Sequence, residues 1–412
     1  MRLIGGALVL PDRIVSPGTL VIEGGRIEAV LPGWHRVDGA GVVHVPGCYI
    51  VPGFIDAHVH GVEGFDTLGE GRVVAEMARR FPKFGVTAFA PTVVACRPDQ
   101  LGQALDQVRR AREAPEPDHA RVLPAHFESN FISPEWCGAQ PASVLLNPRE
   151  ALAGLSSIST VLTRRDHVPD GLFDDTDRSA FDGPAILHEI VRADRHIGMV
   201  TVAPELEGGI ELVEWLVARG IGVGLGHSGA TYERALEAIT SGARRGTHVF
   251  NRMAPIHQRA PGLASAILQA RGVDAEIICD GHHVHPGLVR VAIAAKGAQA
   301  VLAVTDGTAL SGCPAGSRGR LGTLAIHSTP EGAFLDDGTR AGSTLTMDGA
   351  FRTLVRQMEV SIVDAALMCA TTPARAVGLD GAGAIEVGAF ADLVVLDASL
   401  SVRQTYVAGQ LA

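Results

Sequence analysis

The sequence predicts an α/β chain: a (β/α)8 TIM-type barrel carrying a small β-sandwich built from both termini. Three observations lead there. Eight apolar, β-branched segments run from Val51–Val59 to Val301–Thr305 with helical patterns between most of them, which suits a parallel barrel better than an open doubly wound sheet. Residues 1–50 and 384–412 have a different texture, short strands divided by turn residues. A chain of 412 residues also outgrows one compact core, so two units are expected.

In the N-terminal part, Ala7–Leu10, Thr19–Ile22 and Arg26–Val30 are strands separated by Pro-Asp, Ser-Pro-Gly and Gly-Gly turns. Val51–Val59 is the first barrel strand, entered through Pro52-Gly53. Alternation puts His58 and His60 on one side of it, about 6–7 Å apart. The remaining barrel strands are Val86–Val94, Arg121–Glu128, Met199–Pro204, Gly222–Gly226, Gly246–Phe250, Ala275–Cys279 and Val301–Thr305. Helical patterns cover Arg72–Phe84, Asp99–Glu113, Ile210–Arg219, Tyr232–Ser241 and Gly287–Lys296. Gly138–Asp182, with its Pro, Gly, Ser and Asp, is expected to be an irregular insertion over the barrel mouth. Ala391–Leu396 and Val402–Ala408 return to strand, so the sandwich takes 1–50 and 376–412 and the barrel 51–375.

Composition narrows the function. The chain is 46% hydrophobic and 19% charged, as a soluble globular protein is. A net charge of −10 without a Lys/Arg cluster argues against nucleic acid or an anionic membrane as partner. Met1–Leu10 is a short apolar run cut by Pro11-Asp12-Arg13, and no run reaches the ~18 apolar residues of a membrane span. The six cysteines are scattered without a C-x-x-C pair, which reads as reduced thiols in the cytoplasm. No G-x-G-x-x-G follows the first strand, so a dinucleotide has little support.

In such a barrel the chemistry sits where the strands end. Here the strand ends read Ala125-His-Phe-Glu128, Gly224-Leu-Gly-His227-Ser228, Gly246-Thr-His248, Cys279-Asp280-Gly-His-His283 and Val304-Thr-Asp306. Singly each has a plain account: a strand-end histidine is more often hydrogen-bonded structure than ligand, and an aspartate after a strand is often a helix N-cap. Together, His58, His60, Glu128, His227, His248 and Asp306 supply nitrogen and oxygen ligands for one divalent metal, and enough for two. Imidazole and carboxylate suit zinc and iron.

These stretches resemble the amidohydrolase superfamily and, within it, the N-acetylglucosamine-6-phosphate deacetylases. The matching motifs are Pro52-Gly-Phe-Ile-Asp-Ala-His-Val-His60-Gly, Thr201-Val-Ala-Pro-Glu205, Gly226-His-Ser-Gly-Ala-Thr231, Thr247-His-Val-Phe-Asn-Arg-Met253, Arg259-Ala-Pro-Gly262, Asp280-Gly-His-His283, Val304-Thr-Asp306 and Gly342-Ser-Thr-Leu-Thr-Met347. The tail Gly388–Val395 looks like the superfamily's returning sandwich strand. The resemblance implies that Glu128, His227 and His248 are the constant metal ligands and His58 and His60 those of a second metal. It makes Asp306 the catalytic acid/base and His283 the residue that polarises the substrate carbonyl, with Asn251 and Arg259 on the substrate. Arg259 is the implied phosphate binder, reaching across a homodimer.

The match departs at four places: Ser129-Asn130 replaces Gly-Pro, Cys137-Gly-Ala-Gln140 replaces Lys-Gly-Ala-His, Asn251-Arg252-Met253 replaces Asn-Ala-Met, and Ala260 replaces an acidic residue. All fall near the expected sugar, where Gln140 and Arg252 become candidate substrate contacts. A carbamylated-lysine amidohydrolase is disfavoured, because Lys83 and Lys296, the only lysines, lie in helical stretches. The expected activity is metal-dependent hydrolysis of the N-acetyl amide of an amino-sugar 6-phosphate. An amidohydrolase for N-acetylgalactosamine 6-phosphate, an unphosphorylated N-acyl sugar or a D-aminoacylase-like N-acyl amino acid shares that chemistry. A non-catalytic amidohydrolase-like scaffold is the remaining class, and such relatives lose ligands that this chain keeps.

Overall fold

The computed structural model describes residues 1–35, 41–156 and 183–412. Eight parallel strands form the barrel: Phe54–Val59, Val86–Val94, Ala125–Glu128, Ile197–Val202, Gly222–Leu225, Arg245–Gly246, Asp274–Ile278 and Val301–Val304. The cylinder closes between its last and first strands. There the Asp306 amide donates to the His58 carbonyl (2.9 Å), and the His60 amide donates to that of Gly307 (2.8 Å). Helices such as Val73–Arg80 and Pro98–Glu113 pack outside, each burying one apolar stripe, Val73, Val74, Met77 and Ala78 in the former.

The terminal unit is one continuous sheet of eight strands folded over its own core. Its strand order runs Gln410–Leu411, Val402–Val407, Leu393–Leu396, Tyr49–Pro52, Arg2–Val9, Ile14–Glu23 and Arg26–Pro32, with Val42–His44 also on Arg2–Val9. Leu3, Leu20, Ile50, Leu393, Val395 and Tyr406 fill its interior. Arg121 of the barrel pairs with Asp392 of this sheet, and Thr405 donates to the Pro82 carbonyl (2.6 Å), which ties the two units together.

Four expectations need correction. Val51–Val59 is not one strand: Tyr49–Pro52 pairs antiparallel with Leu393–Leu396, and Phe54–Val59 starts the barrel. Gly53 is the joint, because a Cβ there would run into the Thr87 side chain. Arg121–Glu128 breaks at Leu123-Pro124, since proline has no amide for the ladder. The sixth strand keeps only Arg245–Gly246, since the chain turns through left-handed conformations at His248 (φ 28°) and Phe250 (φ 81°). Gly138–Asp182 is not wholly irregular: helix Pro148–Ser156 lies within it and packs Ala151 against Gly183 of helix Gly183–Ala193. Residues 157–182 of that expectation lie outside the described ones.

The structure adds helices Gly262–Gln269 and Met347–Arg356 and a three-stranded antiparallel sheet, Arg318–Leu321, Leu324–Thr329 and Gly332–Phe334, after the eighth barrel strand. Gly262–Gln269 begins inside a Pro-Gly pair that reads as a turn, which hides it. Among the described residues no helix is long and apolar enough to cross a membrane.

Gly53→Ala should lower the unfolding free energy by about 1–3 kcal/mol, because the joint has no room for a methyl group. A denaturant titration showing an unchanged midpoint would contradict the tight joint.

Candidate metal centre and active site

Five of the eight strand ends deliver side chains to one rim. His58 lies in the first strand and His60 just beyond it, and Glu128 ends the third. His227, His248 and Asp306 each sit two residues past a strand, and all three hold left-handed backbone (φ 48°, 28° and 48°). Such conformations are strained for residues with a Cβ and collect at functional positions. Glu205 stabilises the turn after His227, accepting from the Ser228 hydroxyl (2.6 Å) and the Gly229 amide (2.7 Å).

The six side chains meet. Glu128 Oε1 lies 2.8 Å from His227 Nε2 and 2.8 Å from His248 Nε2, and those nitrogens are 3.0 Å apart. Glu128 Oε2 lies 3.3 Å from His60 Nε2, which is 3.1 Å from Asp306 Oδ1. His58 Nε2 lies 3.4 Å from Asp306 Oδ1 and 3.8 Å from Glu128 Oε1. Hence Glu128 presents one oxygen to the His227/His248 pair and the other to His60.

The far side of each ring decides what the near side can do. His227 Nδ1 donates to the Trp136 carbonyl (2.8 Å), His60 Nδ1 to that of Thr92 (3.2 Å), and His58 Nδ1 to Glu276 Oε2 (3.0 Å). With Nδ1–H committed, a neutral ring offers only a lone pair at Nε2. Three such lone pairs therefore face carboxylate oxygens, an arrangement that repels unless a proton or a metal stands between. His58 Nε2 is buried without a hydrogen-bond partner. Zinc–nitrogen bonds of about 2.0–2.1 Å place tetrahedral ligand atoms roughly 3.3 Å apart, close to the spacings here. The donor set fits a divalent cation.

Without a metal, protons take that place. Burial raises the Glu128 pKa, but the charges and hydrogen bonds of His227, His248 and His60 outweigh it and hold the carboxyl well below its usual range. Burial pushes His60 down, while Asp306 and Glu128 lift it to about 10. His248 is likewise depressed by burial and lifted, chiefly by Glu128, to about 9. For Asp306 burial opposes ionisation, yet the hydrogen bond from His60 and the charges of His58 and His60 keep its pKa below the ordinary value.

The other expected residues are placed around this rim. The Gln140 amide is used at both ends: Nε2 donates to Glu128 Oε2 (2.5 Å), and Oε1 accepts from the Ala95 amide (2.8 Å). This buried side chain is therefore held at both ends, one of them on Glu128. Asn251 donates to the His248 carbonyl (3.2 Å), and Arg252 lies exposed against Gly138. Arg259 stands on the exposed turn joining His257 to Ala260 and makes no ion pair with a described residue. His283 is oriented by Asp280, whose Oδ2 accepts its Nδ1–H (2.6 Å) while Oδ1 accepts the His282 and His283 amides (both 2.8 Å). Glu276 was not expected at the site, and His126 and Asp280, though within the strand-end stretches, had no role assigned. A glutamate inside the apolar run Ala275–Cys279 was the available signal for Glu276.

Comparison with known proteins agrees with this geometry. The family model described as "Amidohydrolase family" matches residues 195–412, over half of the chain. A relative named N-acetylglucosamine-6-phosphate deacetylase, from Lysinibacillus sphaericus, is 30% identical over 95% of this chain and 92% of its own. One of the same name from Danio rerio is 35% identical over 91% and 86%. Among solved structures, a mutant N-acetyl-D-glucosamine-6-phosphate deacetylase from Mycobacterium smegmatis in complex with N-acetyl-D-glucosamine-6-phosphate superposes with a TM-score of 0.84. It is 28% identical and covers 100% of this chain and 98% of that one.

In the metal-free protein at about pH 8, the His60 and His248 rings should be imidazolium. His126, where burial dominates and depresses the pKa, should be neutral at that pH. Histidine 15N NMR reads both, and a neutral His60 at that pH would contradict the proton cage. A metal must displace these protons, so its affinity should fall as pH falls.

Proposed function

The chain belongs to the amidohydrolase family, with the N-acetylglucosamine-6-phosphate deacetylases, and from that premise we propose that it hydrolyses the N-acetyl amide of an amino-sugar 6-phosphate. N-acetylglucosamine 6-phosphate is the foremost substrate, giving the amino-sugar phosphate and acetate. The observation that carries the reading is the convergence of His58, His60 and His227 lone pairs on Glu128 and Asp306.

Glu128, His227 and His248 would hold one divalent cation, and His58 and His60 with the second Glu128 oxygen would hold another, zinc or iron by ligand type. Such a cation supplies Lewis acidity, polarising the amide carbonyl and acidifying water. Asp306, kept ionised by His60 and His58, takes the proton from the attacking water and returns it to the departing amine. His283 donates from Nε2 to the developing oxyanion. Because its Nδ1–H is already given to Asp280, that role requires a second proton, at Nε2.

The planar fork of Arg259 suits a phosphate, and its exposed turn suits reaching the site of a neighbouring copy, so the working form is a homodimer. Arg252 and Asn251 border the sugar. The terminal sheet, 1–50 with 376–412, is a support for the 51–375 barrel, and the setting is the cytoplasm.

Asp306→Asn should lower kcat about 10²–10⁴-fold with metal content unchanged; substantial turnover in that variant would remove the proton shuttle. Across phosphorylated and unphosphorylated N-acetyl sugars and N-acetyl amino acids, the purified enzyme should release acetate fastest from N-acetylglucosamine 6-phosphate. Preference for an unphosphorylated substrate would overturn the substrate assignment. Arg259→Ala should raise KM roughly 10–100-fold for the phosphorylated sugar alone. Mixing it with Asp306→Asn should restore part of the activity if the arginine acts across the dimer.

A further inference from the structure

We propose that Glu276 is a positioning residue that sets one ligand in each half of the metal cage, an inference that rests on the metal reading above. It lies in the seventh barrel strand and is 0% exposed. Its Oε2 accepts the Nδ1–H of His58 (3.0 Å) and lies 3.4 Å from the backbone amide of His248. Its Oε1 faces Arg245 Nη1 at 3.4 Å, and Arg245 Nη2 donates to the Ala376 carbonyl (2.6 Å).

The chemistry follows from protons. Holding Nδ1–H on Glu276 leaves His58 one tautomer, with its Nε2 lone pair turned toward Asp306 and Glu128. The same oxygen steadies the strained turn that carries His248. One carboxylate thus joins the His58 half of the cage to the His248 half. His58, His126 and Glu276 also bring donor atoms within 4.8 Å of one another, as a separate cation site would. Arg245 already supplies the positive charge there and His58 Nδ1 carries a proton, so Glu276 acts as an acceptor and not as a ligand.

Glutamine cannot replace it. With its oxygen on His58 the amide turns NH2 onto Arg245, and with its oxygen on Arg245 it turns NH2 onto His58; either way a donor faces a donor.

The test is titration of chelator-treated apo-protein with Zn²⁺ by calorimetry and with Co²⁺ by visible absorption. Glu276→Gln should bind about 10–100-fold more weakly and change the Co²⁺ spectrum. In a His58→Asn background it should cost clearly less than in the wild type, the remaining loss being the contact with the His248 amide. Glu276→Asp, which keeps a charge for Arg245 but retreats from His58, should fold and show an intermediate affinity. Wild-type affinity and spectrum in Glu276→Gln would overturn the inference, as would an equal loss with and without His58. If Glu276→Gln does not fold, an unchanged affinity in Glu276→Asp overturns it. A wild-type protein that binds neither ion would instead remove the metal reading itself, and the inference with it.

Discussion

The structure depends on one buried carboxylate. Glu128 touches His227 and His248 through one oxygen and His60 through the other. No single ring or carboxylate here would stay charged in a dry barrel, because the desolvation cost of an isolated ion is several kcal/mol. They tolerate burial because they compensate one another, with protons in the metal-free protein and with a cation when one is bound. Removing any partner leaves a charge with nothing to answer it.

That compensation is tied to the backbone. The barrel seam is sealed by the Asp306 amide on the His58 carbonyl, so the hydrogen bond that closes the cylinder also sets the aspartate beside the first-strand histidines. Asp56 strengthens the seam, accepting from the Thr305 hydroxyl at 2.5 Å. Burial lifts its pKa to about 7 despite that bond. Between pH 4 and 7 the unfolded chain therefore releases a proton that the folded chain retains, so this group favours folding most below pH 4 and its contribution is lost as pH rises through about 7. Stability and site geometry share the same atoms.

The polar barrel interior extends the idea inward. His126 donates or accepts through Nε2 with Thr201 (2.8 Å), and Thr201 bonds Thr247 (2.9 Å). Thr201 opens one family motif and Thr247 another, so stretches far apart in sequence are joined beneath the rim. Ser228 and Glu205 do the same above it. The motifs are pieces of one hydrogen-bonded lattice.

Sequence by itself determined the alternating barrel, the terminal strands that return to one sheet, and the six metal-competent residues, because strand period and strand-end chemistry are local properties. That His58 and His60 share one face of a strand is readable from spacing alone; their joint role needs the other strand ends. The tertiary structure decided the rest. It split Val51–Val59 at Gly53, because a packed Thr87 leaves no space for a side chain. It shortened the sixth strand, because His248 must turn inward to reach Glu128. It set the Gln140 amide against Glu128, and it brought Glu276 under His58. Those outcomes depend on which side chains share a volume, and shared volume is a property of the closed barrel rather than of any stretch of its chain.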